Sequence, residues 1–392
     1  MHRAAVVVVL GIAACNSGAA KPAPQAAPRD AAVHGTVDAN LSQVAQLDGK
    51  PMYLALCAPC HGVDRKGYAA DHAPSLVSQT FLESASDYFL RRSIITGRPG
   101  TSMAAYGKAS GGPLDDAAVR RLVAFLREGA PPTLALTPVV AGDVPTGALI
   151  YAKHCFVCHG DGKTRGEAIS LANPQLLATA SDEFLRYAVA RGRPGTKMEP
   201  FAGKLTDAEL DSVVRYVRRL GTGSPPEIEP LPEPTGKEPL VLNPKGATPK
   251  FTLRADPCST APGAAPCKPD PRFVSVAQVG AALAAKQRMV LIDARPTSDW
   301  RRVHLAGAVS IPYHELKRLD ELPRDGTWMI AYCACPHHLS GIVVDELRKR
   351  GFAHAVVLDE GINEWHRRGL PVTAAEGVPK PLPEATPGGA IR

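Results

Sequence analysis

The sequence predicts a multidomain chain in which two small all-α domains precede one α/β domain. Related segments repeat in the N-terminal half, where the predicted elements are amphipathic helices. Beyond about residue 250, short apolar strands alternate with helices, which is typical of a parallel sheet with helices on both faces. A length of 392 residues agrees with two to three domains.

The repeat is clearest in two pairs of segments. Residues 85–91 read ASDYFLR and residues 180–186 read ASDEFLR, while residues 97–103 read GRPGTSM and residues 192–198 read GRPGTKM. Each copy then ends in a predicted amphipathic helix, and in the second copy Thr206 and Glu209 have the spacing of a capping box. The chain therefore contains the same small domain twice.

Each copy contains a Cys-x-x-Cys-His motif, CAPCH at residues 57–61 and CFVCH at residues 155–159. This spacing is the attachment signature of a c-type haem. The thiols add across the haem vinyl groups, and the adjacent histidine becomes the proximal iron ligand. The predicted thioethers lie at Cys57, Cys60, Cys155 and Cys158, and the predicted proximal ligands are His61 and His159.

Residues 47–129 and 144–221 each resemble a class I (mitochondrial-type) cytochrome c. The resemblance is carried by the haem motifs, by a glycine with a tyrosine one turn later, and by a Pro-x-Leu sequence after each motif. It implies two all-α domains with two covalently attached haem c groups. Met103 and Met198 are then the distal iron ligands, and the carbonyl groups of Pro74 and Pro174 accept hydrogen bonds from His61 and His159.

Arg98 and Arg193 precede the two methionines and have two interpretations. Their guanidinium groups could pair with haem propionates, or they could be solvated loop residues. A His/Met-ligated iron has no open coordination position, so the resemblance favours electron transfer over oxygen or peroxide chemistry.

The N-terminus resembles a bacterial lipoprotein signal. Residues 1–15 comprise a basic start, an apolar stretch too short to span a bilayer, and a lipobox-like end at Cys15, which would be acylated. A plain secretory signal is the alternative. Residues 16–46 are predicted to be a disordered tether, and we expect a periplasmic or cell-envelope protein anchored by lipid on Cys15.

Residues 222–250 are rich in proline and are predicted to form a semi-stiff linker. Shortly after it, Cys258 and Cys267 are expected to form a disulfide in an oxidising compartment, although free thiols are the alternative.

Residues 251–374 are similar to a rhodanese domain, and residues 375–392 are predicted to be a flexible tail. The similarity rests on DAR at residues 293–295, on HLAGAVSIP at residues 304–312, and on Cys333 after a central strand. It implies that Cys333 is a catalytic thiolate that forms a persulfide. Asp293 and His304 are expected to be structural.

The loop after Cys333 departs from the rhodanese pattern. His338 stands where active members have an arginine that binds the sulfur donor, and Pro336 removes one backbone N–H. Cys335 could act in persulfide or redox chemistry, could bind a soft metal with His337 and His338, or could be inert. We expect Cys333, Cys335 and His338 to form the catalytic loop if this domain is active.

The net charge of +7 is spread along the chain without interleaved aromatic residues. It favours acidic redox partner proteins and argues against nucleic-acid binding. The sequence thus predicts an exported dihaem electron carrier in which sulfur chemistry at Cys333 is coupled to the haems. The alternatives are an independent sulfurtransferase fused to the carrier, acting on small sulfur compounds, and a rhodanese domain that only docks a partner.

Overall fold

The structure is a computed structural model that describes residues 41–67, 73–221, 225, 227–256, 269–334 and 337–381. Cys15, Cys258, Cys267 and Cys335 lie outside the described residues, as do the predicted signal peptide and most of the predicted tether. Among the described residues, every helix is too short or too polar to cross a bilayer.

The first domain begins with a 3₁₀ helix, Leu41–Gln46, and is otherwise built from short α-helices. These helices are α1 Gly49–Leu56, α2 Ala58–His61, α3 Gln79–Leu82, α4 Asp87–Thr96 and α5 Asp116–Arg127, with a 3₁₀ turn at Lys108–Ser110. Side chains of Ser86 and Asp115 accept backbone N–H groups and so fix the starts of α4 and α5.

The second domain repeats this order of elements. Its helices are α6 Val144–His154, α7 Phe156–His159, α8 Pro174–Thr179, α9 Asp182–Arg191 and α10 Asp207–Leu220. The predicted capping box between Thr206 and Glu209 is present at the start of α10. The buried stripe of α10 contains Leu210, Val213, Val214 and Val217.

A glycine allows the first and last helices of each domain to cross closely. A Cβ atom on Gly49 would lie 2.5 Å from the carbonyl oxygen of Arg121 and 2.6 Å from Cβ of Phe125. On Gly147 it would lie 2.0 Å from the carbonyl oxygen of Ser212. Real Cβ atoms do not approach other atoms this closely, so only glycine fits at either crossing.

The C-terminal domain contains a six-stranded, mostly parallel sheet in the order β1-β2-β7-β6-β3-β5. Within this sheet β1 and β2 pair antiparallel and the other neighbouring strands pair parallel. Strands β4 and β8 form a separate antiparallel pair. The strands are β1 Arg254–Asp256, β2 Asp270–Val274, β3 Met289–Asp293, β4 Val303–Leu305, β5 Val309–Ser310, β6 Trp328–Tyr332, β7 Ala355–Leu358 and β8 Val372–Ala374. The helices are α11 Val276–Ala284, α12 Thr297–Trp300, α13 His338–Lys349 and α14 Gly361–Arg367, with a 3₁₀ helix at Leu316–Glu321.

Helices cover both faces of this sheet, as predicted. Alternate residues of β3 and β6 enter different clusters: Ile292 and Ala331 pack with α13, whereas Leu291 and Ile330 pack with α11 and α14. This alternation follows from the twofold period of a strand. A strand that is buried on both faces consists of consecutive apolar residues, and β3 and β6 have this pattern.

The ends of the domains differ from the predicted boundaries. Val44, inside the predicted tether, is fully buried, so that tether does not extend to residue 46. The predicted linker lies against the last domain, because the N–H of Leu231 donates to the carbonyl of Arg301 at 2.7 Å and the indole of Trp328 donates to that of Pro249 at 3.0 Å. Ala375, the first residue of the predicted tail, is also buried.

We expect Gly147→Ala to lower the free energy of unfolding by about 1–3 kcal/mol, because the added methyl group overpacks the crossing of α6 and α10. Leu149→Ala on the same helix is the control, since Leu149 is 75 % exposed. Guanidinium titration of the full chain measures both. Equal midpoints for the two variants would contradict the close crossing.

Candidate functional site

The first haem motif lies on the turn between α1 and α2. The N–H of Cys57 donates to the carbonyl of Tyr53 at 2.8 Å, and the N–H of His61 donates to the carbonyl of Cys57 at 2.8 Å. The hydroxyl of Tyr53, which is buried, donates to the carbonyl of Gly62 at 2.7 Å. The tyrosine therefore fixes the chain immediately after the predicted proximal histidine.

The second haem motif has the same geometry. The N–H of Cys155 donates to the carbonyl of Tyr151 at 2.9 Å, and that of His159 donates to the carbonyl of Cys155 at 2.9 Å. The hydroxyl of Tyr151 donates to the carbonyl of Gly160 at 2.6 Å. The sequence repeat is thus also a repeat of hydrogen bonds.

Both predicted proximal histidines use Nδ1 as a donor to a backbone carbonyl. His61 donates to Pro74 at 3.1 Å, as predicted, but His159 donates to Ile169 at 2.8 Å, and the prediction of Pro174 was wrong. Pro174 is the first residue of α8, so its carbonyl faces along that helix.

The environment of these imidazoles suits iron ligation. Burial lowers the pKa of His61 and of His159, and the carbonyl hydrogen bonds oppose this effect. With Nδ1 donating, the neutral ring leaves the lone pair of Nε2 for a metal. Burial also raises the pKa of the Cys57 thiol to about 12. The residues present therefore fit a covalently held haem.

Met103 and Met198 end two loops of the same shape. The N–H of Arg98 donates to the carbonyl of Met103 at 2.7 Å, and that of Arg193 donates to the carbonyl of Met198 at 2.8 Å. Both methionine side chains are half-buried. The matching loops give the two methionines equivalent positions in the two domains.

Arg98 and Arg193 are not solvated loop residues. Arg98 donates to Oγ of Ser93 at 2.6 Å and lies 5.4 Å from the ring centre of Phe89. Arg193 lies 5.7 Å from the ring centre of Phe184. Burial lowers the pKa of each guanidinium to about 10. That interpretation was wrong, and pairing with haem propionates stays a prediction.

The two helical domains pack through an aromatic cluster formed by Phe81, Phe89 and Phe184. The rings of Phe89 and Phe184 lie 4.8 Å apart, and those of Phe81 and Phe184 lie 6.3 Å apart in an edge-to-face arrangement. Aromatic pairs at such distances contribute about 0.5–1.5 kcal/mol beyond their buried area.

Each methionine loop is also held by the other helical domain. The hydroxyl of Thr80 in the first domain donates to the carbonyl of Gly192 at 2.9 Å, where the Met198 loop begins. The amide of Asn173 in the second domain donates to the carbonyl of Pro99 at 2.9 Å, inside the Met103 loop. The two candidate haem sites thus share one reciprocal interface.

In the C-terminal domain, Cys333 lies directly after β6, as predicted, and α13 begins at His338. Cys333 is 1 % exposed, and its Sγ lies 3.3 Å from Oγ of Ser340 in the first turn of α13. Gly361 makes room for this loop, since a Cβ atom there would lie 2.3 Å from the carbonyl oxygen of Cys333. The N-terminal end of α13 would favour a thiolate at this position.

His337 anchors the end of the loop. It has a left-handed backbone conformation with φ of 76°, and its ring lies 4.3 Å from that of Phe273. Its Nε2 lies 2.9 Å from the carboxylate of Asp359. Burial opposes ionisation of that carboxylate, but His337 and Arg254 together lower the pKa of Asp359 to about 2.

The ring of His338 contacts the first cytochrome domain. Its Nδ1 is hydrogen-bonded to the carbonyl of Pro59, the residue between Cys57 and Cys60 in the first haem motif. The expectation that His338 replaces the donor-binding arginine stays a prediction, and the interdomain contact of its ring was not expected. Among the described residues no cluster of three histidine, cysteine, aspartate or glutamate side chains could hold a metal ion.

Asp293 and His304 have structural roles, as expected. Asp293 is fully buried and accepts hydrogen bonds from Arg295 at 2.7 and 2.9 Å and from the hydroxyl of Tyr332 at 2.8 Å. The ring of His304 stacks on Trp300 at 4.0 Å. Both oxygens of the Asp293 carboxylate therefore accept hydrogen bonds.

Further contacts join the last domain to the first, and sequence reasoning missed them. The hydroxyl of Tyr313 donates to the carbonyl of Leu56 at 2.7 Å and lies 3.0 Å from that of Tyr106. The hydroxyl of Ser102 donates to the carbonyl of Ala334 at 2.8 Å. No periodicity or motif marks these residues, so the sequence contains no local signal for the interface.

Two family models match the chain. Residues 44–126 and 142–217 match "Cytochrome C oxidase, cbb3-type, subunit III", and residues 275–368 match "Rhodanese-like domain". The chain is 32 % identical over 92 residues to cytochrome c6 of Thermosynechococcus vestitus, covering 21 % of this chain and 77 % of that protein. The chain belongs to the c-type cytochromes.

Two longer relatives are similar to part of this cytochrome. Identity is 28 % over 197 residues with the cbb3-type cytochrome c oxidase subunit FixP of Bradyrhizobium sp., covering 47 % of this chain and 64 % of that protein. It is 39 % over 77 residues with dihydro-heme d1 dehydrogenase of Pseudomonas aeruginosa, covering 20 % of this chain and 15 % of that protein. The chain thus spans less than two thirds of these relatives. Its helical cytochrome region, which implies covalently bound haem c, precedes an α/β rhodanese domain.

We expect Asp359→Asn to lower the free energy of unfolding by about 2 kcal/mol at pH 7, since each unit of pKa depression corresponds to about 1.4 kcal/mol. The native pKa of about 2 lies below the ordinary 3.8. The stabilisation is therefore complete above pH ~4 and is lost as the pH falls towards 2. Urea titrations of both proteins at pH 7 and pH 3 test this, and a difference that does not shrink at pH 3 would refute it.

Proposed function

We propose that this cytochrome is an exported dihaem electron carrier. Each haem is bound by the two cysteines of its motif and is ligated by one histidine and one methionine. The proposed sets are Cys57, Cys60, His61 and Met103 for the first haem, and Cys155, Cys158, His159 and Met198 for the second. The observation that carries this proposal is that both motifs have the same tyrosine and methionine-loop hydrogen bonds, and that each histidine donates from Nδ1 to a backbone carbonyl.

When bound, each haem supplies a one-electron centre whose iron has no free coordination position. The chain fixes the tautomer of each histidine, lowers the pKa of each ring by burial and closes the motif with a tyrosine hydroxyl. Thioether ligation stabilises ferrous iron and so raises the reduction potential. These properties support electron transfer.

The partners of this carrier are proposed to be redox proteins with acidic docking surfaces. The net charge of +7 favours such surfaces by electrostatic steering. We further propose that lipid on Cys15 holds the protein in the cell envelope, because haem c attachment in bacteria takes place outside the cytoplasm.

We expect the purified protein to carry two covalent haems and each pair of cysteine variants to lose one of them. Cys57→Ala with Cys60→Ala removes one haem, and Cys155→Ala with Cys158→Ala removes the other. Intact-protein mass spectrometry and the pyridine haemochrome spectrum measure the number. A protein whose pigment is extracted by acidified organic solvent would contradict covalent attachment.

Ligation is tested separately. Met103→Ala and Met198→Ala should each remove part of the sulfur-to-iron band in the oxidised spectrum while leaving the haem attached. Met289→Leu is the matched control, since Met289 is fully buried in β3, away from both motifs. Loss of the band in neither ligand variant would reject the assigned methionines.

A second proposed activity couples sulfur chemistry at Cys333 to the haems. It is supported by the contacts that place the Cys333 loop against the first haem motif, through His338 on Pro59 and Ser102 on Ala334. Joining the Cys333 thiolate to hydrosulfide forms one S–S bond and releases one proton and two electrons. Two haems store that number of electrons.

We expect sulfide to reduce the oxidised protein in stopped-flow mixing and Cys333→Ser to slow this by at least about tenfold, because the bond-forming thiolate is gone. A double variant, Cys258→Ser with Cys267→Ser, controls for the loss of other cysteines. An unchanged rate in Cys333→Ser would reject the coupling. Thiosulfate:cyanide turnover without haem reduction would favour the independent sulfurtransferase, and an unreactive Cys333 would favour the docking module.

A further inference from the structure

The mouth of the rhodanese site faces the first cytochrome domain. In a parallel sheet the carboxyl ends of the strands meet at one edge, where ligands bind in open α/β folds. The segments after β3, β5 and β6 contribute Ser298 of α12, Tyr313 and Ala334, and each contacts the cytochrome. The edge that would receive a substrate is therefore the edge that is covered.

The covering surface consists of the haem motif and the methionine loop of the first domain. His338 is hydrogen-bonded to Pro59 between the motif cysteines, and Ser102, beside Met103, donates to Ala334, beside Cys333. The hydroxyl of Ser298 donates to the carbonyl of Ala105 at 2.5 Å.

The cover is specific to the first domain. Val157 occupies the position in the second motif that Pro59 occupies in the first. Val157 is 60 % exposed, and the rhodanese domain makes none of its described hydrogen bonds with the second motif. The contact is therefore a property of one interface and not of the motif itself.

A small cleft remains between the two surfaces. Pro99, Gly100 and Thr101 of the methionine loop form one side, and Ala334 and Asn363 belong to the other. Its volume of about 50 Å³ compares with roughly 300–1,000 Å³ for pockets that hold drug-sized ligands. Cys333 does not line this cleft, but its neighbour Ala334 does, and a cleft of this size does not admit a peptide.

We propose that the first cytochrome domain forms one wall of the Cys333 site and thereby restricts it to small sulfur compounds, such as thiosulfate or sulfide. A protein-bound persulfide is excluded. This inference rests on the proposed reactivity of Cys333. For a thiosulfate-sized donor the thiolate attacks the outer sulfur, a new S–S bond forms on Cys333, and sulfite leaves with the electron pair of the broken S–S bond.

The test compares two thiol reagents of different size on the full haem-containing chain. Labelling of Cys333 by N-ethylmaleimide and by a maleimide carrying a polyethylene glycol chain is followed by tandem mass spectrometry. Both rates are divided by those for a short cysteine peptide. We expect the bulky reagent to react with Cys333 at least about tenfold more slowly after this correction, because it requires the domains to separate.

Tyr313→Ala should weaken the contact between the first cytochrome domain and the rhodanese domain and so expose Cys333. The variant removes two hydrogen bonds that hold the domains together, one to the carbonyl of Leu56 and one to the hydroxyl of Tyr106. Because separation of the domains then becomes easier, labelling by the bulky reagent should rise roughly tenfold or more. Tyr187→Ala is the matched control, since the Tyr187 hydroxyl bonds Glu83 between the two cytochrome domains. It should change neither rate. Tyr313→Phe removes only the hydroxyl and serves if the alanine variant does not fold.

The outcomes separate the two proposals. Equal corrected rates for the two reagents in the wild type, or a bulky-reagent rate that Tyr313→Ala and Tyr313→Phe leave unchanged, would overturn the wall. Size selectivity without haem reduction by sulfide would leave the wall in place and reject the coupling. A Cys333 that reacts with neither reagent in any variant would overturn both.

Discussion

The close crossing of the first and last helices of each cytochrome domain is the constraint on which the rest depends. It requires glycine at residues 49 and 147, where a Cβ atom would overlap backbone of the partner helix. The crossing brings Tyr53 against Phe125, with ring centres 5.3 Å apart. It buries the tyrosine, whose hydroxyl then donates to the carbonyl of Gly62, directly after the haem motif. Helix packing therefore sets the position of the predicted iron ligand.

The domains are joined largely through carbonyl groups that helix ends leave without a partner. The last carbonyls of an α-helix have no intrahelical donor and need one from elsewhere. Leu56, at the end of α1, accepts from Tyr313, and Gly192, after α9, accepts from Thr80. Pro59, in the short helix of the first motif, accepts from His338. Hydrogen bonding at these sites satisfies buried acceptors and also orients one domain on another.

The sequence predicted the fold class and the repeat, because each depends on local pattern, and the resemblance to class I cytochromes c supplied the acceptor of His61. It failed for His159, whose acceptor is Ile169, since a longer loop precedes Pro174. The contact between His338 and Pro59 was not predicted, because the two residues lie 279 positions apart in the chain. Contacts of that range have no periodic signature, and the linker and tail were misjudged for the same reason.

The interface makes two domains of the same fold unequal. Both motifs present the same backbone geometry, yet Pro59 lies under the rhodanese domain whereas Val157 is 60 % exposed. Electron transfer between proteins requires close approach of a partner, and only the second motif keeps an open surface at this position. The first motif contacts the rhodanese domain of its own chain. If both domains hold haem as proposed, one contacts the sulfur site and the other is left for external partners, and the reciprocal contacts of Thr80 and Asn173 connect them.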